Sequence, residues 1–177
     1  DRLETLIVGD PMDKNTDIGA INSKAQLDII NKYIKIGQQE GAEMYQSSCD
    51  IPKKGFYCRP TIFTNVAQSN RIAQEEIFGP VTCVTTFKTT EEAIAIANDT
   101  LYGLGAGVWT RDAHELYTVP RAIQAGRVWV NCYHAYPAHA PFGGYKKSGF
   151  GRETHKMMLN HYRQTKNMLI SYSKSKL

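Results

Sequence analysis

Glu75-Glu76-Ile77-Phe78-Gly79-Pro80 is the stretch of this sequence best equipped for chemistry. It sets two adjacent carboxylates, an aromatic ring and a Gly-Pro breaker directly before the β-rich run Val81-Thr82-Cys83-Val84-Thr85-Thr86-Phe87. Gly79 and Pro80 end whatever precedes them, and a residue before proline favours extended backbone. A tight loop at the head of a strand results, and loops on rigid scaffolds often carry sites. The same residues admit a plainer reading, with Glu75 and Glu76 as solvated surface charges and Phe78 as a core plug. A glycosidase-type acid/base pair is a poor first choice. Neighbouring side chains on an extended segment point to opposite faces instead of flanking one bond.

The elements around this stretch follow from pattern. Residues 9–18 form a turn-rich loop, and Ser23 is placed to cap a helix that runs to about Glu40 and stops at Gly41. Leu27, Ile30, Ile34 and Gly37 recur at three- and four-residue spacings, so one face of that helix is packed. Ala42–Gln46 reads as a short strand, Ser47–Gly55 as a polar loop, and Phe56–Val66 as an extended segment whose Pro60 suggests a sheet edge. Val81–Phe87 reads as a strand. Thr90 caps a helix to Asn98, with Glu91 and Glu92 where the helix dipole favours acids. Gly103–Thr110 reads as a strand, then a helix runs from Asp112 to about Ala125 with Gly126 at its C′ position. Arg127–Asn131 completes a strand–helix–strand–helix–strand series, the pattern of an open, mainly parallel twisted α/β sheet with flanking helices. Pro120 falls inside the second of these helices, where it removes a hydrogen bond or kinks the axis. A loop rich in aromatics, Pro and Gly runs from Tyr133 to Gly149. It leaves the carboxyl end of a strand, where open α/β sheets bind ligands. Gly151–Tyr162 reads as a helix. Gln164–Tyr172 reads as a terminal strand, followed by a Lys/Ser tail.

Bulk properties narrow the function classes. The chain has 177 residues, 42% hydrophobic and 21% charged, enough for one domain with a proper core. Its net charge of +4 is scattered, with no basic helix face and no RNA-binding aromatic motif, so no nucleic-acid partner is expected. No apolar run approaches membrane-spanning length, and no signal-peptide pattern opens the chain. Cys49, Cys58, Cys83 and Cys132 lack any C-x-x-C spacing and read as free thiols of a reducing cytoplasm. His134 and His139, like His155 and His161, miss a helical ligand spacing, so no metal site is expected. The start at Asp1, running straight into Leu3-Glu4-Thr5-Leu6-Ile7-Val8, reads like a piece of something longer.

Four motifs occur in one order. They are the 75–80 stretch, Asn98-Asp99-Thr100-Leu101-Tyr102-Gly103-Leu104, Gly126-Arg127-Val128-Trp129-Val130-Asn131-Cys132-Tyr133, and Pro141-Phe142-Gly143-Gly144-Tyr145-Lys146-Lys147-Ser148-Gly149. Together they resemble the C-terminal part of an NAD(P)-dependent aldehyde dehydrogenase over essentially the whole chain. The 134–141 loop and the 164–172 tail look most like the bacterial acetaldehyde-type branch. The resemblance implies a catalytic-domain portion over residues 1–162 and an oligomerisation arm with tail over 163–177. It also implies an enzyme oxidising aldehydes to acids through a cysteine thiohemiacetal, in the cytoplasm, as a homo-oligomer (dimer or tetramer).

Residue by residue, Glu76 matches the family glutamate that accepts the nicotinamide ribose hydroxyls, and a carboxylate suits two hydroxyl donors. Phe78 matches the phenylalanine beside the nicotinamide ring. Phe142 matches a substrate-tunnel aromatic, and Tyr136 lies in the segment that supplies another; as plain alternatives, Phe142 is a core residue and Tyr136 a loop residue bonded through its hydroxyl. The implied cofactor is NAD, with NADP left open. The family's nucleophilic cysteine and general-base glutamate belong to a part preceding the region matched, so no catalytic residue is assigned and the chain alone is expected to be inactive. Cys132 sits at the strand-end position, not in the nucleophile's loop, and a lone cysteine is usually a small buried hydrophobe. The competing class is a non-catalytic oligomerisation or interaction module derived from the same fold.

Overall fold

A computed structural model of the chain describes residues 2–172, and the Lys/Ser tail expected beyond Tyr172 lies outside the described residues. The chain divides into two compact units, Asp1–Asp99 and Thr100–Leu177. The class is α/β with open sheets and flanking helices, and the strand pairing is distributed over three small ladders.

The first unit is built around helix α1 (Lys24–Gln39). Ser23 caps it, its hydroxyl accepting from the Gln26 amide at 3.2 Å, and Gly41 follows its end at φ +87°. Ile30, Ile34 and Gly37 are its buried residues, as the spacing requires. After α1 come β1 (Glu43–Gln46), β2 (Thr61–Thr64), the single-turn helix α2 (Arg71–Gln74) and β3 (Val81–Cys83). They form one ladder in the order β1-β2-β3, antiparallel then parallel. The edge position expected from Pro60 is therefore wrong. The proline precedes β2 by one residue and takes no strand N–H from it, so β2 is the central strand. The strand expected to reach Phe87 ends at Cys83, although the Val84 amide still donates to the Phe63 carbonyl at 2.8 Å. Helix α3 (Thr90–Asn98) closes the unit, with Glu91 and Glu92 in its first turn; its cap is Thr89, one residue before the position expected. The core gathers Ile30, Ile34, Ala42, Cys58, Phe63, Val66, Ile72 and Ile77.

In the second unit the run expected as one strand is broken into β4 (Tyr102–Gly103) and β5 (Gly105–Val108). Helix α4 (Glu115–Ala122) contains Pro120. It begins later than expected because Asp112 is spent on a turn, its carboxylate accepting from the Glu115 amide at 2.9 Å. Pro120 lies in the closing turn, and Ile123 is already extended at ψ 127°. Gly126 is thus not a helix cap; it leads into β6 (Arg127–Val130), which pairs in parallel with β5. A short β7 (Tyr145–Lys146) pairs antiparallel with β4. The helix expected over 151–162 is a 3₁₀ segment at Lys156–Tyr162. Residues 164–172 form no strand. Their alternation supplies strand propensity, but a strand exists only against a partner edge.

Phe63 is fully buried and is the largest such side chain. Phe63→Ala should lower unfolding free energy by roughly 3–5 kcal/mol, the usual cost of emptying an aromatic core position. Urea denaturation checks this, and an unshifted midpoint would show that the cluster around α1 is not the core.

Candidate functional site

The 75–80 loop is held from every side except the one that faces outward. Glu75 ends α2 and is gripped by Arg71 (Nε–Oε1 3.0 Å, Nη2–Oε2 2.8 Å) and by the Tyr33 hydroxyl, which donates to Oε2 at 2.6 Å. These bonds hold the Glu75 carboxyl well below its ordinary range, at about 2, with the Arg71 bond the larger cause and the Tyr33 bond next. Glu75 in turn pushes the Tyr33 phenol up. Ile77 plugs into the core at 8% exposure. From α1, Gln26 donates through Nε2 to the carbonyls of Ile77 (3.1 Å) and Phe78 (3.3 Å). A Cβ on Gly79 would stand 2.6 Å from Cδ1 of fully buried Ile30, so only glycine lets the loop lie on that helix. The Pro80 carbonyl then accepts from the Thr61 amide at 2.9 Å and delivers the chain into β3.

The consequence is alternation. Ile77 faces in, so its neighbours Glu76 and Phe78 face out. Phe78 is 72% exposed and sits at φ +57°, a left-handed conformation that a bulky residue rarely adopts. The Glu76 carboxylate is exposed and has no hydrogen-bond or ion-pair partner among the described residues. The core-plug alternative for Phe78 therefore fails, and Ile77 is the plug. Of the two glutamates, one is consumed by structure and the other is free to accept donors.

The other two residues expected at a site, Tyr136 and Phe142, lie in the second unit and are brought together there. Their rings meet edge to face at 5.2 Å between centroids. Phe142 is half-buried and bridged to Glu153 by paired backbone hydrogen bonds of 2.9 and 2.6 Å, while Tyr136 is 46% exposed. They belong to an aromatic cluster with Trp129, Tyr133 and His134. Gly126 sets its base: a Cβ there would collide with the Gly143 carbonyl, so the two motif glycines pack backbone on backbone. Asn131, at φ +52°, binds the Thr110 backbone through both ends of its amide (3.0 and 2.9 Å) and ties the ends of β5 and β6 together. Phe142 also lines a groove of about 700 Å³ with Leu104, Arg152, Met158, His161 and Tyr162.

Some contributors were not foreseen. Gln26 shows no sequence signal, being one polar residue on a helix. Arg127 and Trp129 had one: they are two apart on β6 and so share a face. The lone-cysteine argument also needs correction, since Cys132 is exposed because it follows the last paired strand residue. Cys58 is buried and Cys83 half-buried, and burial pushes both thiols up, away from reactive thiolate. Among the described residues no group of three or more His, Cys, Asp or Glu side chains is placed to hold a metal, and no helix is long and apolar enough to cross a membrane.

Comparison with known structures gives the class first. The NAD+ complex of an aldehyde dehydrogenase from Bacillus cereus superimposes with a TM-score of 0.91 at 39% identity, over 97% of this chain and 35% of that one. The fold is thus that of a portion of an α/β dehydrogenase. A sequence model of the aldehyde dehydrogenase family matches residues 1–168, and the chain belongs to that family. An aldehyde dehydrogenase of Paracoccus denitrificans is 59% identical over 99% of this chain and 35% of its own length. Acetaldehyde dehydrogenase 2 of Cupriavidus necator is 57% identical over 99% of this chain and 36% of its own. The chain therefore spans about a third of these relatives.

Two outcomes follow from the loop geometry. Gly79→Ala must displace Ile30 and should cost about 1–3 kcal/mol of stability, read from a urea midpoint. The Glu75 carboxyl titrates lower folded than its ordinary 4.5, so its stabilisation is present above that pH and is lost as pH falls toward about 2. The stability difference between the wild-type chain and Glu75→Gln should shrink over that window. It should also weaken with salt, because the pair is exposed. A difference independent of pH between neutrality and acid would remove Glu75 as the anchor.

Proposed function

We propose that residues 1–162 are the C-terminal portion of the catalytic domain of an NAD(P)-dependent aldehyde dehydrogenase and that 163–177 are its oligomerisation arm and tail. The whole protein oxidises aldehydes to carboxylic acids through a thiohemiacetal on a cysteine that is not among Cys49, Cys58, Cys83 and Cys132. It works in the cytoplasm as a homo-oligomer and belongs to the bacterial acetaldehyde-type branch. Family membership supports the reaction, and the relative named for acetaldehyde supports the branch.

The observation that carries the cofactor assignment is the in–out alternation at 76–78. Glu76 offers an unengaged, acceptor-only carboxylate, which suits a pair of ribose hydroxyl donors. Phe78 offers an uncovered ring on a loop pinned at both ends, which suits a flat heteroaromatic partner. When bound, NAD(P) supplies the hydride acceptor. The residues of this chain orient it and hold its ribose. Tyr136 and Phe142 form an apolar wall for the aldehyde tail and keep water from the reacting carbon. The arm reading draws on the exposed residues Met168, Leu169, Ile170 and Tyr172 beside unladdered backbone, the composition of a strand that completes itself on another copy.

In the full-length protein, Glu76→Gln should lower turnover and raise the KM for NAD, since an amide accepts less strongly and adds a donor. Losses of roughly tenfold or more in kcat/KM are expected where a positioning contact to a reacting group is removed. Unchanged turnover and cofactor binding would take Glu76 out of the site. The isolated 177-residue chain should produce no NADH from acetaldehyde, and steady-state production by the purified chain would sink the assignment of the nucleophile elsewhere.

A further inference from the structure

We infer that Arg127 is the positioning residue of the aldehyde-binding wall, holding Tyr136 and Phe142 in place through the loop that carries them. The inference rests on the tunnel reading of those two aromatics. It concerns a side chain that touches neither substrate nor cofactor in that reading.

The loop in question has no strand pairing to hold it; besides Arg127 and Trp129, the His155 amide reaches its Ala138 carbonyl (2.9 Å) and the Thr154 hydroxyl its Ala140 carbonyl. Residues 131–139 are all exposed, and between Asn131 and Phe142 no residue belongs to a strand ladder. Asn131 and His134 both take left-handed backbone, at φ +52° and +57°. Such conformations persist only where the surroundings over-determine them. Arg127 supplies that constraint from β6. One guanidinium nitrogen donates to the Ala135 carbonyl at 2.9 Å, and the other donates to the carbonyls of Ala140 (3.2 Å) and Pro141 (2.9 Å). The two groups of acceptors lie on either side of Tyr136 in sequence, and the second group directly precedes Phe142. The guanidinium carbon also stands 5.4 Å from the Tyr136 ring centroid and 5.5 Å from that of Phe142. One planar cation therefore fixes the backbone around both aromatics and the ring faces as well.

Two further observations exclude a generic surface arginine. Among the described residues Arg127 has no carboxylate in ion-pair range, so its charge is directed at the loop carbonyls and at the rings of Tyr136, Phe142 and Trp129, the last at 5.9 Å. Its platform is rigid. β6 is paired along its length with β5, the preceding Gly126 is jammed against Gly143, and Trp129 on the same face donates through Nε1 to the Ala135 carbonyl at 2.9 Å. Lysine cannot replace it, because a single ammonium neither spans separated carbonyls nor presents a planar cation to the rings.

The test uses the full-length dehydrogenase that carries this chain, with Arg127→Met, Arg127→Lys, Tyr136→Ala and Phe142→Ala. Steady-state kinetics with acetaldehyde and hexanal are read beside amide exchange over residues 131–142. Arg127→Met should raise the KM for both aldehydes roughly tenfold while kcat and the KM for NAD change little, and exchange in the loop should quicken. Arg127→Lys should share most of the defect while keeping native circular dichroism, which carries the test if the methionine variant fails to fold. Unchanged aldehyde KM and exchange in the arginine variants would overturn the inference while the alanine variants still raise KM. Equal losses for aldehyde and NAD would also overturn it, as the mark of a merely structural residue. If neither alanine variant alters aldehyde KM, the tunnel reading itself falls and takes this inference with it.

Discussion

Ile77 is one side chain whose burial decides what its two neighbours do. It enters the core of the first unit with Ile30, while Glu76 and Phe78 on either side of it are exposed. The arrangement would be a loose hairpin without its restraints. Gly79 lets the loop touch α1, Gln26 binds two successive carbonyls, and Glu75 is locked to α2 and α1 through Arg71 and Tyr33. Each restraint uses a different kind of interaction. Burial, shape, neutral hydrogen bonds and an ion pair all converge on one backbone conformation, including the unfavourable φ of Phe78. Strain of this kind belongs to a site whose surroundings can hold it.

The second unit solves the same problem with less burial. Trp129 is its one buried large side chain among the described residues, and α4 buries none. Close backbone contact takes over where side-chain packing is thin. Gly126 against Gly143 and the Asn131 clasp on Thr110 fix the frame without a hydrophobic core. Polar donors reaching backbone carbonyls then do what a core does elsewhere, Arg127 and Arg152 with three such carbonyls each. Such a unit leaves much apolar surface uncovered, Leu101, Leu104, Trp109 and Phe150 included.

Legibility in the sequence divided along the same physical line. Periodicity read α1 nearly to the residue because its buried face repeats at the helical spacing, and the Ser23 cap came with it. The 75–80 loop was readable as a loop, since Gly-Pro acts locally. Lengths of strands were not readable. Thr85–Phe87 carries the same β propensity as Val81–Cys83, yet the ladder with β2 covers only the latter, and pairing depends on residues distant in sequence. The Pro60 error has that origin too, since whether a strand is central is a property of its neighbours. At the site, Glu76 and Phe78 were named through family resemblance, while their outward orientation needed the burial of Ile77. Arg127 escaped because its partners are carbonyls, which every residue possesses and no sequence pattern advertises.

The two glutamates show how far such reasoning can be pressed. They are adjacent, chemically identical and equally polar, so composition and spacing treat them alike. The fold separates them by partner. Glu75 meets Arg71 and Tyr33 on its own unit and is held at about 2. Glu76 meets nothing within the described residues. An exposed, unpaired glutamate is ordinary on a protein surface. This one stands on a six-residue loop restrained at Glu75, Ile77, Phe78, Gly79 and Pro80, so its backbone is fixed while its carboxylate is free. A tied-down backbone thus leaves Glu76 and Phe78 as the outward-facing pair on either side of buried Ile77.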